Sequence, residues 1–273
     1  MPHPFFGSPE QRPLILGHRG AAGTTPENTL VSFECGLESG AHILESDVHL
    51  SRDGVPILLH DPEVDRTSDG RGSVADLDLA AIQALDAGYR FSPDEGKSFP
   101  YRAKGLTIPT LEEAFRRFPG ARFNLELKTG GPLVAERVVG LVKDLGRANR
   151  TLLTAGDDAL MDEIVATAQA QGTDPALGAC TRDAADFARA AAAGTPPPAI
   201  PMALQIPAAF AGRSLITPQL IAHAHAHDVQ IHAWTINEEE EMTRLLDLGV
   251  DGLVTDLPAR MRDLLRQRTH AGG

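Results

Sequence analysis

The sequence predicts an α/β fold of the TIM-type (β/α)8 barrel class, on two observations. Short β-branched or aliphatic runs alternate with helix-length amphipathic stretches, as parallel strands joined by crossover helices require. A length of 273 residues also suits one barrel of roughly 250 residues around one core, a single domain over 1–273.

Strands are predicted near 13–17, 42–48, 55–60, 122–127, 151–154, 176–180, 202–206, 229–234 and 251–254. Nine runs exceed the eight of a regular barrel, so the barrel is distorted or one run lies outside it. The run at 55–60 is the candidate for exclusion. Only a short polar link with Asp53-Gly54 separates it from Val48, too short for a helical crossover. A hairpin return and a missing helix both fit.

Helix starts carry local markers. Thr25-Pro26 and Thr217-Pro218 each place a cap hydroxyl before a first-turn proline, and Thr110-Leu111-Glu112-Glu113 spells a capping box. Residues 62–108 break the alternation and read as an insertion over the strand ends. The proline-rich stretch from Gly194 to Pro201 reads as a stiff connection.

Composition narrows the function classes. No apolar run reaches the ~18 residues of a membrane span, so a soluble protein without stable membrane insertion is expected. The first residues lack a basic start followed by a long apolar stretch, which makes the cytoplasm the expected location. A net charge of −12 opposes nucleic acid and anionic lipid as partners, so a phosphate substrate needs locally gathered positive charge. Cys35 and Cys180 stand far apart without a zinc-binding spacing, and a disulfide between them is not expected.

The chemistry-bearing residues sit at the ends of strands. Leu14–Gly20 runs from an apolar strand into His18-Arg19 between glycines, which would let backbone approach a ligand. A dinucleotide loop is excluded there, because neither the G-x-G-x-x-G spacing nor a Walker lysine is present. Glu45 and Asp47 are two residues apart on a strand and share a face, where two inward acids call for a hard cation or an arginine partner. Glu126 and Lys128 repeat that spacing, and His60 ends the 55–60 run as His18 ends the first. Together they supply two proton carriers, three acids for a cation and two cations for phosphate.

In order along the chain, His18-Arg19-Gly20, Pro26-Glu27-Asn28-Thr29, Glu45-Ser46-Asp47, Asp53-Gly54 and His60-Asp61 resemble the glycerophosphodiester phosphodiesterases, relatives of the phosphatidylinositol-specific phospholipases C. Arg66-Thr67, Ile108–Leu111, Glu126-Leu127-Lys128, Trp234–Asn237, Gly249–Gly252 and Thr255-Asp256 extend the resemblance over nearly the whole chain. It implies metal ligation by Glu45, Asp47 and Glu126, acid/base roles for His18 and His60, and phosphate contacts from Arg19 and Lys128. It also implies one divalent cation, Mg²⁺ or Ca²⁺, and a small-molecule glycerophosphodiester cut to glycerol 3-phosphate and an alcohol. By analogy His18 is the base and His60 the acid, a direction the residues do not fix. Thr154-Ala155-Gly156-Asp157 departs from the family pattern, losing an aromatic from one pocket wall.

Trp234 and Gln205, each at a strand end, are further substrate-binding candidates, with core packing and a structural amide as the competing readings. His223, His225 and His227 fit a surface helix without an inward acid partner, and Asn237 is expected to cap the helix begun by Glu238–Glu241. The competing functions are a lysophospholipase D-like or phospholipase C-like lipid phosphodiesterase, and a non-catalytic barrel that only binds phosphodiesters.

Overall fold

The computed structural model describes residues 3–128 and 130–271. Eight parallel strands form the expected barrel: β1 (Leu14–Gly17), β2 (Ile43–Leu50), β3 (Phe123–Leu127), β4 (Thr151–Thr154), β5 (Ala176–Leu177), β6 (Ala203–Pro207), β7 (Gln230–Trp234) and β8 (Gly252–Thr255). Their order around the sheet is β5-β4-β3-β2-β1-β8-β7-β6. A parallel bridge between Gly178 and Ala203 joins the two ends into a nearly closed ring.

The ninth run is a hairpin return. Residues Pro56–Leu58 pair antiparallel with β2, in the register Val48 to Leu58 and Leu50 to Pro56. Ser51 organises the turn, accepting from Val55 N through its hydroxyl and donating to Asp53. The reversal brings Leu59 level with Asp47, whose carbonyl accepts the Leu59 amide at 3.1 Å. His60 therefore does not end a barrel strand as His18 does. It reaches the same rim from outside the ring.

Period-two alternation fills the barrel floor with Leu14, Leu16, Ile43, Leu152, Ala176, Ala203 and Val254. The N-terminal turn Pro4–Phe6 plugs this floor with Phe5 and Phe6, whose rings meet edge to face at 5.2 Å. Arg122 fastens the plug by donating to the Phe5 carbonyl. Phe5 is fully buried, so Phe5→Ala is expected to cost about 3–5 kcal/mol of unfolding free energy in a urea titration. A loss below about 1 kcal/mol would show that the floor closes without its plug.

Helices α1 (Leu30–Glu38), α3 (Leu111–Arg117), α4 (Gly131–Asp144), α5 (Asp158–Gln171), α6 (Thr181–Ala193), α7 (Pro218–Ala226), α8 (Glu239–Leu248) and α9 (Pro258–Ala271) lie between and after the strands. The capping box at Thr110 forms in full, and Thr217 accepts from Leu220 N as a cap should. Thr25 is not a cap. Its hydroxyl donates to the Ala21 carbonyl, and Thr29 caps α1 by accepting from Ser32 N, because residues 26–28 make a turn with Asn28 at φ 55°. Asn237 does not cap α8 either; Glu238 holds that position.

The insertion at 62–108 contains the short helix α2 (Leu79–Gln83) and packs on its own small core of Ile57, Leu59, Val64, Val74, Ile82, Ala87 and Ile108. Arg102 lies over the rings of Tyr89 and Phe99, with its guanidinium carbon 4.1 and 3.8 Å from their centroids. Among the described residues, no helix is long and apolar enough to cross a membrane. Cys35 and Cys180 are both free thiols.

Candidate active site

The C-terminal ends of β1, β2, β3, β7 and β8, together with the hairpin return, converge on one rim, the face where barrel enzymes carry their chemistry. Glycine at the first turn serves packing here. A Cβ on Gly20, at φ 94°, would meet Ser32 atoms at 2.5 Å, so the loop is pressed onto α1 rather than opened for a ligand. That pressure aims His18 and Arg19 across the rim. The Arg19 amide donates to Glu45 Oε2 at 3.0 Å, and the residue itself takes φ 50°.

His18 and His60 are built alike. His18 Nδ1 lies 2.6 Å from Asp256 Oδ1, and Asp256 Oδ2 accepts from the Asn237 side-chain amide. His60 Nδ1 lies 2.6 Å from Asp61 Oδ1, and Asp61 in turn accepts from Arg66. A carboxylate on Nδ1 favours the tautomer that carries its proton there, leaving Nε2 for substrate. His18 Nε2 is 4.0 Å from Glu45 Oε2. Burial lowers the His18 pKa, but the Asp256 hydrogen bond and the Glu45 charge outweigh it, and the net shift is upward. Burial would raise Asp256, yet its bond to His18 holds it below the usual carboxylate range.

Glu45 and Asp47 are both buried on the inward face, as their spacing predicts. Burial, with the neighbouring Asp47 charge, pushes the Glu45 carboxyl up to about 7, against the pull of His18 and the Arg19 amide. Glu126 stands beside Asp47 in the β2–β3 register, and Lys128 Nζ bridges them at 3.0 Å to Asp47 and 2.8 Å to Glu126. The bridge is shielded on its Asp47 side, where Lys128 is 20% and Asp47 2% exposed, and more open at Glu126, which is 35% exposed. Burial disfavours the Lys128 charge, but the two carboxylates raise its pKa overall. Asn28 ties the turn to the site by donating to Asp47 Oδ2 at 3.3 Å and accepting from Ser46 at 2.6 Å. Arg19 donates to Glu27 at 2.7 Å, and its Nε lies 3.6 Å from Asp47 without a hydrogen-bond partner among the described residues.

Trp234 is 44% exposed at the end of β7, which rules out plain core packing. Both amide atoms of Gln205 are shielded from solvent and unpartnered among the described residues. Gly178 lies against this amide, where a Cβ would come 3.1 Å from Gln205 Oε1. At the departure from the family pattern, Asp157 caps α5, and a Cβ on Gly156 would stand 3.5 Å from Glu126 Oε1. Thr154–Asp157 offers no aromatic side chain at that strand end beside Glu126.

His223 and His225 of α7 and His227, which follows it, do not contribute to the site. The rings of His223 and His227 approach each other at 4.5 Å, while His225 Nε2 meets Asp251 Oδ2 at 3.0 Å. The expectation that this helix lacks an inward acid partner is therefore incorrect. Asp251 is a buried hub at the start of β8 that also binds Arg12 and the Ile231 amide.

Sequence reasoning did not assign Asp256, Asp61, Glu27, Arg66 or Asn237 to this site. The adjacency of His60 and Asp61 was a signal for one dyad. Asp256 is 238 positions from His18, and nothing local announces their meeting.

Comparison with known proteins identifies the family and the fold. The chain is 30% identical to the glycerophosphodiester phosphodiesterase of Caldanaerobacter subterraneus subsp. tengcongensis, over 93% of this chain and 98% of that one. It is 27% identical to the human lysophospholipase D GDPD1 over 92% of this chain and 85% of that protein. A solved phosphodiesterase from Oleispira antarctica, in complex with the product sn-glycerol-3-phosphate, shares the fold with a TM-score of 0.74 and 26% identity, covering 94% of this chain and 98% of that one. Residues 18–260 match the Glycerophosphoryl diester phosphodiesterase family, and with that match the chain belongs to this family of phosphoric diester hydrolases.

Proposed function

We propose that this enzyme hydrolyses small glycerophosphodiesters to glycerol 3-phosphate and an alcohol in the cytoplasm, by two-histidine acid/base catalysis with one divalent cation. The observation that carries this reading is the pair of histidines, each held through Nδ1 by a carboxylate at 2.6 Å, at the same barrel rim as buried acids and two cationic side chains.

The donor set fits a hard cation. Glu45, Asp47 and Glu126 offer only oxygens, and burial drives Glu45 toward holding a proton, the charge a bound cation would replace. Among the described residues no three ligating side chains already stand at closing distance, and Lys128 takes up part of the Asp47 and Glu126 charge. Those three carboxylates would hold Mg²⁺ or Ca²⁺, which when bound polarises a phosphoryl oxygen and lowers the pKa of a coordinated hydroxyl.

The rest falls to the chain's own residues. Arg19 and Lys128 offset phosphate charge. One imidazole accepts a proton at Nε2 from the nucleophile, water or the substrate's own hydroxyl, and the other donates from Nε2 to the leaving alcohol. Following the family analogy, His18 is the base and His60 the acid. The unpartnered amide of Gln205 and the exposed ring of Trp234 supply a polar and an apolar contact for the glycerol.

Glycerophosphocholine turnover, followed by choline release, is expected to vanish in excess chelator and to return with Mg²⁺ or Ca²⁺. Full turnover in metal-free buffer would remove the cation from this reading.

A further inference from the structure

The insertion contributes one side chain to the rim that none of the assigned roles covers. Arg66 binds two carboxylates at once. Its Nε and Nη2 donate to Asp61 at 2.6 and 3.2 Å, and its Nη1 and Nη2 donate to Glu27 at 2.7 Å each. Those acids are the supports of two different site residues. Asp61 holds His60 Nδ1 at 2.6 Å, and Glu27 Oε1 accepts from Arg19 Nη1 at 2.7 Å. A single guanidinium thus joins the candidate acid/base group to the candidate phosphate-binding arginine through Arg19, Glu27, Arg66, Asp61 and His60.

We propose that Arg66 is a positioning residue, which sets the ring orientation and tautomer of His60 through Asp61 and aligns Arg19 through Glu27. This deepens the reading of His60 as an acid/base group and rests on it. The chemistry follows from the fork geometry. Guanidinium presents two edges of paired N–H groups, so it can grip two carboxylates in fixed directions, which an ammonium cannot do. Without it, Asp61 and Glu27 face each other as like charges. Asp61 is then free to turn away from His60 Nδ1, and the imidazole loses the bond that places Nε2 toward substrate. Through Arg66 the insertion is in this way part of the reaction geometry.

The test uses the whole 273-residue chain with Arg66→Gln, Arg66→Lys and, as a control, Arg52→Gln in the turn after β2, which breaks only the surface pair with Asp78 of the insertion. Glycerophosphocholine kcat/KM is expected to fall on the order of 10- to 100-fold in both Arg66 variants. The control is expected to stay within about threefold of wild type. Proton NMR of histidine-labelled protein without substrate gives an independent readout. The Nδ1 proton of His60, assigned by its loss in His60→Ala, should leave its hydrogen-bonded downfield position in Arg66→Gln while that of His18 stays. Should Arg66→Gln not fold, the near-isosteric Asp61→Asn cuts the same link and is expected to show the same two changes. An unmoved His60 resonance in the folded variant, turnover within about threefold of wild type, or full recovery by lysine each overturns the proposal. A wild-type protein inactive on every glycerophosphodiester would instead overturn the proposed function, and the resonance alone would then decide the role of Arg66.

Discussion

His18→Ala is expected to lower kcat on glycerophosphocholine by on the order of 10²- to 10⁴-fold while leaving the fold intact. The imidazole is a proton carrier at the rim placed between two carboxylates, Asp256 at 2.6 Å and Glu45 at 4.0 Å. Its removal takes away the proton transfer without opening a large apolar cavity, so thermal unfolding should move little. The bonds around it also set the pH behaviour. The His18 pKa is raised in the folded state, so its contribution to stability is complete below the unfolded value of 6.5 and fades as pH rises through the folded value. His18→Ala should flatten that part of the stability profile.

The same variant separates the roles of the two histidines. An ester with an acidic leaving alcohol, such as p-nitrophenol, needs little help from a general acid. His60→Ala should therefore lose far less on that ester than on glycerophosphocholine, whereas His18→Ala should lose equally on both. The opposite pattern would exchange the assignments. Near wild-type turnover of either variant on glycerophosphocholine would end the acid/base reading altogether.

Glu45→Gln should give an inactive protein that is more stable than wild type when both are metal-free above pH 7. The sign follows from the shift of Glu45 up to about 7, caused first by burial and then by Asp47. A carboxyl whose folded pKa lies above its unfolded value favours folding most at low pH. That advantage is lost as pH rises from about 4.5 through about 7, a difference of at most about 3 kcal/mol. Glutamine keeps an acceptor for the Arg19 amide, now 3.0 Å from Glu45 Oε2, and removes the buried charge. Thermal melts in chelator at pH 5 and pH 8 should show wild type falling more steeply than the variant, which keeps only the His18 contribution to the slope.

Adding Mg²⁺ or Ca²⁺ should reverse the ranking. A cation that binds only the folded wild type stabilises it by mass action, about 4.1 kcal/mol at a thousandfold excess over Kd, which exceeds that deficit. The variant, short of one anionic ligand, should respond weakly. A Glu45→Gln protein that is less stable than wild type at pH 8 in chelator would contradict the buried-charge argument. An equal metal response in the two proteins would contradict the ligand assignment.

Much of the rim was legible because its signals are local. Residues two apart on a strand must share a face, so the pairing of Glu45 with Asp47 and of Glu126 with Lys128 on one face each followed from spacing alone. The capping box at Thr110 was equally readable, since a cap involves four consecutive residues. Thr25 and Asn237 misled for a related reason. Each is a good cap by type, but a turn geometry in one case and a tertiary partner in the other took its hydrogen bonds elsewhere.

The sequence by itself determined the barrel class, the strand ends that bear chemistry, and the set of histidines, acids and cations. Each of these depends on residue type and short-range periodicity. Only the tertiary structure decided that the run before His60 turns back along β2, that Asp256 reaches His18, and that Arg66 joins Asp61 to Glu27. Those contacts depend on which strands become neighbours when the ring closes, and on where a loop returns. That information is carried by long-range packing and register, and no window of neighbouring residues contains it.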